Sequence, residues 1–95
     1  MFGDDALSEP EAKKLILAIL GSGNVIVTKH ASQEMAKDNM TMVDVANILR
    51  GGKVEPAEFE RGAWRYRVHT ARIFAVVEFA SETEMVVVTA WRVKR

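Results

Sequence analysis

The chain contains no cysteine, only two prolines and no net charge over its 95 residues. The lack of cysteine excludes a disulfide scaffold, a thiolate metal site and a cysteine nucleophile. The longest apolar run, residues 15–20, is far too short to span a bilayer, and the N-terminus lacks the basic segment of a signal peptide. We therefore expect a cytoplasmic protein that has no membrane partner.

Several common chemical motifs are also missing. The sequence has no phosphate-binding glycine loop, no dinucleotide fingerprint and no nucleophile elbow. Its two histidines, His30 and His69, are far apart and lack the acidic or thiolate spacing of a metal site. We expect neither a metal nor a cofactor.

Charge is unevenly distributed along a chain of single-domain length. Residues 1–60 carry six Lys/Arg and ten Asp/Glu, a balance of −4, whereas residues 61–95 carry seven Lys/Arg and three Glu, a balance of +4. The 48% apolar content is that of a folded protein. A basic second half on a neutral chain indicates a local anion site.

Three helices are predicted in the first half of the chain. Ser8 and Glu11 have the spacing of a capping box, and residues 21–23 end the first helix. Its apolar face comprises Ala12, Leu15, Ile16, Ile19 and Leu20. This face packs on the core or docks a partner.

The second and third helices follow a short β-prone run, residues 25–28. Thr28 caps a helix from Lys29 to about Asp38, and Asn39 suits the left-handed residue after it. Thr41 caps the third helix, which residues 51–52 end. The apolar face of that helix comprises Met42, Val45, Ile48 and Leu49.

The second half of the chain reads as four strands, residues 53–59, 63–69, 72–79 and 84–93. The gaps between them are short enough for hairpin turns. The predicted fold class is α+β, with N-terminal helices packed on a four-stranded antiparallel meander sheet.

The strand at residues 64–69 separates two sets of side chains, because its pattern alternates with period two. One set is apolar and suits a core: Trp64, Tyr66 and Val68. The other set is Arg65, Arg67 and His69, with about 7 Å between successive members. These groups suit a phosphodiester ligand. The alternative is an ordinary solvated face.

Lys29 and His30 fall in the first turn of the second helix, where cations oppose the helix dipole. The dipole favours a neutral imidazole, which suits a general base. Alternatively His30 is merely tolerated there, and His69, at a turn, is merely exposed. Two histidines and an arginine suffice for metal-free RNA cleavage through the 2′-hydroxyl.

Other side chains extend the candidate surface. Arg92, with Lys94 and Arg95, could form a basic face or a charged tail. Trp64, Tyr66 and Trp91 could stack on bases or fill the core.

Several segments resemble the DUF4258 family. They are residues 27–31 (Val-Thr-Lys-His-Ala), Met35, residues 39–45 and residues 51–52, with residues 66–68 and 86–89 matching its later strands. That family is allied to RelE-like toxins, the small bacterial ribonucleases of toxin–antitoxin modules, within the barnase–EndoU–colicin–RelE group. The order of elements also resembles MqsR-like toxins. The resemblance covers roughly residues 25–91 and implies a RelE-like fold with RNA bound on the exposed sheet face. It places His30, Tyr66, Arg67 and Thr89 near the site. We expect one RelE-like toxin-type domain over residues 1–95.

The expected function is that of a metal-independent endoribonuclease toxin that cleaves mRNA by 2′-hydroxyl transphosphorylation. The expected catalytic residues are His30, Tyr66, Arg67 and His69, and the expected RNA-binding residues are Lys29, Arg65, Arg72, Thr89 and Arg92. The expected partners are mRNA and a cognate antitoxin; a homodimer is left open, and so is a relationship to larger secreted toxins with an immunity partner.

The chain departs from the resembled pattern at four positions. Glu34 and Asp38 stand where the family usually has arginine, and Phe74 and Trp91 stand where MqsR-like strands carry a tyrosine and a lysine. The alternative is therefore a non-catalytic RNA- or protein-binding module on the same fold.

Overall fold

Three helices and six strands form residues 5–93, the part of the chain that the computed structural model describes. The helices are α1 (Glu9–Ser22), α2 (Lys29–Lys37) and α3 (Met42–Gly51). The strands are β1 (Asn24–Val27), β2 (Lys53–Val54), β3 (Glu58–Glu60), β4 (Ala63–His69), β5 (Ile73–Ser81) and β6 (Glu84–Arg92).

The helix boundaries follow the local signals in the sequence. Ser8 and Thr41 each form a complete capping box at the start of α1 and α3. The Thr28 hydroxyl accepts a hydrogen bond from the Ala31 amide at 3.0 Å and caps α2. Asn39 has a φ of 56°, the left-handed conformation expected between α2 and α3. The three predicted helix starts are confirmed.

The sheet is mixed and has the strand order β1-β6-β5-β4-β2, with β3 also paired to β4. Strands β4, β5 and β6 form the expected antiparallel hairpins. The predicted four-stranded antiparallel meander is nevertheless wrong, because β1 adds to β6 in parallel, with Val25 opposite Met85. Parallel pairing between the two halves of the chain leaves no local sequence signal, since no turn joins the two strands.

The predicted strand at residues 53–59 is divided at Pro56, which has no amide hydrogen to donate. Continuing the β3–β4 register backwards would place Val54 opposite His69, but Val54 lies opposite Val68. Because successive side chains alternate between faces, this one-residue shift turns Val54 into the core and Glu55 to the other face.

The core lies on one face of the sheet and receives side chains from all three helices. The α1 stripe packs as predicted: Ala12, Ile16 and Ile19 are buried, while Leu15 and Leu20 are partly buried against the same cluster. The predicted α3 face is correct except at Met42, which is 38% exposed because it begins the helix. None of the helices within residues 5–93 has the length and apolar character needed to cross a membrane.

Helix α2 continues along β6 where β1 stops. Strand β1 pairs with β6 only as far as Val87, and the Thr28 hydroxyl then donates to the Val88 carbonyl at 3.0 Å. At the far end of α2, Asp38 accepts a hydrogen bond from the Arg92 amide at 2.8 Å. The helix therefore protects the second half of the β6 edge.

The face of the sheet opposite the core, called the open face below, carries the side chains that alternate with the buried ones. Its members on β4, β5 and β6 include Arg65, Arg67, His69, Phe74, Val76, Glu78, Thr89 and Trp91.

Candidate functional site on the open face

Arg65, Arg67 and His69, called the cationic row, lie together on the open face of β4. The residues between them, Tyr66 and Val68, are 3% and 0% exposed on the core face. The predicted separation of this strand into two sets of side chains is confirmed.

Arg65 is held between two carboxylates. Its Nε donates to Oε2 of Glu78 at 2.6 Å, and its Nη1 donates to Oε1 of Glu60 at 3.2 Å. The Glu78 hydrogen bond is the main reason that the pKa of Arg65 is raised. Both carboxylates neutralise this guanidinium, so it supports the sheet more than it attracts an anion.

Arg67 is the most accessible arginine of the row. Its nearest carboxylate, on Glu58, lies 3.9 Å from Nη2, and the Arg67 side chain is 47% exposed. An exposed pair at this distance contributes little to stability and is easily exchanged for another anion. Arg67 is therefore the cation of the row that suits a phosphate.

His69 forms a dyad with Glu55. The imidazole Nε2 lies 2.5 Å from Oε2 of Glu55, while Nδ1 lies 3.4 Å from the Thr70 carbonyl oxygen. The His69 hydrogen bond, followed by the nearby charges of Lys53, His69 and Arg67, lowers the pKa of Glu55. An ionised carboxylate on Nε2 orients the ring and leaves the weakly bonded Nδ1 for proton exchange with a ligand.

Three rings form a column across the open face. His69 stacks on Phe74 with centroids 4.8 Å apart, and Phe74 stacks on Trp91 with centroids 5.2 Å apart and planes only 5° from parallel. The register explains this ring column, because His69, Phe74 and Trp91 are directly opposite one another on β4, β5 and β6. The column fixes the plane of the His69 ring.

An open cleft lies at the Trp91 end of the ring column, between β6 and α2. It has a volume of about 410 Å³. Its lining consists of Glu34, Lys37, Asp38, Trp91, Arg92 and Val93.

His30 and Lys29 are exposed at the start of α2, beside β6. Strand β5 separates β6 from β4, so His30 and His69 are roughly 10 Å or more apart in the direction across the sheet. The structure confirms their predicted places on the helix and strand but does not bring the two histidines together.

Tyr66 is not on the open face, although the family resemblance places it near the site. Its hydroxyl accepts a hydrogen bond from the Leu7 amide at 2.8 Å, and its ring packs beside Phe79 at a centroid distance of 5.2 Å. Alternation along β4 sends Tyr66 to the core, where it anchors the segment before α1. Trp64 shares that face and packs edge-on against Phe59.

Arg92 is engaged with the turn between α2 and α3. Its Nε donates to the Asp38 carbonyl at 2.9 Å, and its Nη2 lies 3.4 Å from the Asn39 carbonyl oxygen and 3.8 Å from Oδ2 of Asp44. This guanidinium therefore clamps the turn to β6, and Arg92 is at the same time one of the residues that line the cleft.

Two further RNA-binding candidates differ in position. Thr89 is on the open face, in the same cross-strand line as Val76 and Arg67. Arg72 is exposed at the β4–β5 turn, beyond the end of the cationic row. Lys94 and Arg95 lie outside the described residues.

Glu55, the partner of His69, was not among the residues predicted from the sequence. A regular hairpin would direct Glu55 into the core, and only the shift at Pro56 brings it to the open face. A proline inside a predicted edge strand was the available signal of that irregularity. The same edge supplies Glu58 and Glu60, so each member of the cationic row has an acidic partner from the first half of the chain.

Within residues 5–93, no three His, Asp, Glu or Cys side chains come together in a way that could hold a metal ion. A family model described as a domain of unknown function, DUF4258, matches residues 27–92. No curated protein and no solved structure matches the chain.

Proposed function

The chain belongs to the DUF4258 family, and from that premise we propose that it is a metal-independent endoribonuclease toxin of a toxin–antitoxin module. Its RNA site is the open face, centred on His69, Glu55 and Arg67. The observation that carries this proposal is the 2.5 Å contact between His69 Nε2 and Glu55 Oε2, next to an exposed arginine. A cognate antitoxin would inhibit the protein by covering the same face.

The proposed reaction is transphosphorylation within RNA. A general base removes the proton of the 2′-hydroxyl, the 2′-oxygen bonds to phosphorus, and the bond from phosphorus to the 5′-oxygen breaks. A general acid gives its proton to that 5′-oxygen, and the products are a 2′,3′-cyclic phosphate and a free 5′-hydroxyl. Arg67 neutralises charge on the phosphorane oxygens.

His69 is assigned one of the two proton transfers, with Glu55 as its positioning residue. Each ring nitrogen lies near an oxygen acceptor, so the imidazolium form satisfies both nitrogens. A ligand oxygen that replaces the 3.4 Å contact to Thr70 would receive the Nδ1 proton, which fits the role of general acid. His30 lies on the far side of the ring column and does not reach the same phosphate, so water is the base that takes the proton of the 2′-hydroxyl.

A non-catalytic RNA-binding module is the second candidate. It is favoured by the ring column and by the acidic partners of Arg65 and Arg67, because a neutralised row stabilises a phosphorane less than free cations do. Stacking of bases on exposed rings requires no acid or base. In this function His69 contributes only its ring, which is the last ring of the ring column.

Incubation of the purified protein with a structured mRNA in EDTA separates the two functions. The endoribonuclease function predicts fragments that end in a 2′,3′-cyclic phosphate. His69→Ala should abolish cleavage, and Glu55→Gln should strongly reduce the cleavage rate. Glu82→Gln, an exposed acid in the β5–β6 turn, is the matched control and should cleave normally. RNA retention without cleavage, in wild type as well as in His69→Ala and His30→Ala, would establish the second function instead.

Induced expression tests the biological role. We expect growth arrest with the wild-type chain and normal growth with Arg67→Ala at equal protein level. Normal growth with abundant, folded wild-type protein would argue strongly against a toxin.

A further inference from the structure

We propose that the cleft between Trp91 and α2 is a nucleobase subsite that prefers guanine. This inference deepens the proposed function and rests on the open face being an RNA site. It assigns a ligand to a part of the molecule that the cleavage chemistry leaves unused.

The indole of Trp91 has a second face available to the cleft. Its first face stacks on Phe74, which belongs to β5 on one side of β6. Helix α2 lies along the other side of β6, and Trp91 lines the cleft between them. A planar base that enters from this side would extend the ring column by one further ring, with the stacking that single-stranded nucleic acids use on aromatic platforms.

The polar groups of the cleft favour one kind of base. Glu34 Oε2 accepts from Lys37 Nζ at 3.0 Å, and Oε1 of the same carboxylate can accept from a ligand. Guanine presents two adjacent donors, N1–H and the N2 amino group, on its Watson–Crick edge. Adenine presents an acceptor in the corresponding place, so a carboxylate discriminates against it.

Lys37 provides the complementary charge for the rest of the nucleotide. Its side chain is 71% exposed at the mouth of the cleft, whereas the Glu34 side chain is 31% exposed. A phosphate attached to the bound guanosine can therefore reach the ammonium while remaining in solvent. The cleft thus offers the ring of Trp91 on β6, and the Glu34 acceptor and the Lys37 cation on α2.

Mononucleotides test this subsite without reference to cleavage. In a Trp64→Phe variant, Trp91 is the only indole of the chain, because the sequence has two tryptophans. We expect guanosine 5′-monophosphate to quench its fluorescence and the adenosine, cytidine and uridine monophosphates to bind at least about tenfold more weakly.

Calorimetry on three further variants and one control assigns the contacts. Trp91→Leu should weaken guanosine monophosphate binding by on the order of tenfold, and Trp91→Phe should restore much of the loss, as expected for stacking. Glu34→Gln should remove the preference for guanine and leave adenosine monophosphate binding unchanged. Glu82→Gln, at the far end of β6, should bind like wild type, and circular dichroism should confirm that all variants are folded.

The outcomes separate this inference from the proposed function. Guanine-selective binding that depends on Trp91 and Glu34 supports the subsite even if RNA is not cleaved. RNA cleavage by a protein whose Trp91 responds to no nucleotide would overturn the subsite and leave the ribonuclease standing. Equal binding of all four nucleotides, insensitive to Glu34→Gln, would also overturn it.

Discussion

At the scale of single residues, the cationic row consists of three groups with different partners. Arg65 lies between two carboxylates, and its side chain is 22% exposed. Arg67, two residues later on the same face, has one carboxylate at 3.9 Å, and its side chain is 47% exposed. The residue type is identical, and the neighbouring strands determine the difference. The first arginine belongs to the framework of the sheet, and the second is free to serve a ligand.

Substitution of the two arginines should therefore affect different properties of the protein. Arg65→Ala should lower the free energy of unfolding by about 1–3 kcal/mol, because it leaves the partly buried Glu78 without its charged donor. Arg67→Ala should change it by less than about 0.5 kcal/mol but weaken RNA binding. Urea denaturation and RNA titration at one salt concentration measure the two effects. Equal destabilisation by both variants would contradict this distinction.

Glu55 makes stability depend on pH in a defined direction. Its pKa is lowered in the folded protein, from the ordinary 4.5, so its ionised form stabilises the fold. That contribution is complete above about pH 6 and is lost as the pH falls through the lowered pKa. The difference in unfolding free energy between wild type and Glu55→Gln should therefore shrink from pH 6 to pH 3. Glu11 and Asp44, whose pKa values are also lowered, are present in both proteins and cancel. A constant difference would show that the His69 contact does not depend on the ionised carboxylate.

At the scale of elements, the β3–β4 turn depends on two left-handed residues. Arg61 and Gly62 have φ values of 50° and 81°, which is the type I′ geometry that matches the twist of a two-residue hairpin. This turn fixes the register that places Glu58 opposite Arg65.

Gly62→Ala should therefore destabilise the protein by about 1 kcal/mol or more, because alanine avoids a positive φ. Gly21→Ala is the matched control: a Cβ at either position meets no atom within 4 Å, but Gly21 lies in α1, where alanine should stabilise by about 0.5–1 kcal/mol. Thermal unfolding of both variants measures the contrast. Stabilisation by both would exclude backbone strain as the cause.

Local signals predicted most elements but not their assembly. The capping residues Ser8, Thr28 and Thr41 marked the helix starts, and the alternation along β4 predicted both of its faces. The pairing of β1 with β6 and the position of α2 beside β6 depend on contacts between distant parts of the chain, which no single segment encodes. For the same reason the cationic row was predictable, whereas its acidic partners were not.

At the scale of the whole molecule, the core is shared almost equally between the two halves of the sequence. Of the seventeen buried apolar residues in the described range, nine precede residue 53 and eight follow it. The hairpins of the second half therefore cannot cover their own core face. Without the first half of the chain, the edge of β6 would also lose its two neighbours, β1 and α2. The structural unit is the helices and the sheet together.

A fragment of residues 53–95 should accordingly remain unfolded, with no cooperative urea transition by circular dichroism, because it lacks α1, α3 and β1. The full chain should unfold in one transition, and residues 1–52 added in trans should restore some sheet signal. A cooperative transition in the isolated fragment would show that the antiparallel hairpins fold independently.

The register shift at Pro56 reflects one extra residue in the edge strand. Val54 and Glu58 are four residues apart, whereas their partners Val68 and Arg65 are three apart. Removing Ala57 would make the two spacings equal, so a regular hairpin would still place Val54 opposite Val68 and Glu55 on the open face. A change that straightens the strand at its present length would instead place Val54 opposite His69 and turn Glu55 to the core. The dyad therefore survives the loss of the extra residue but not its incorporation into a regular strand.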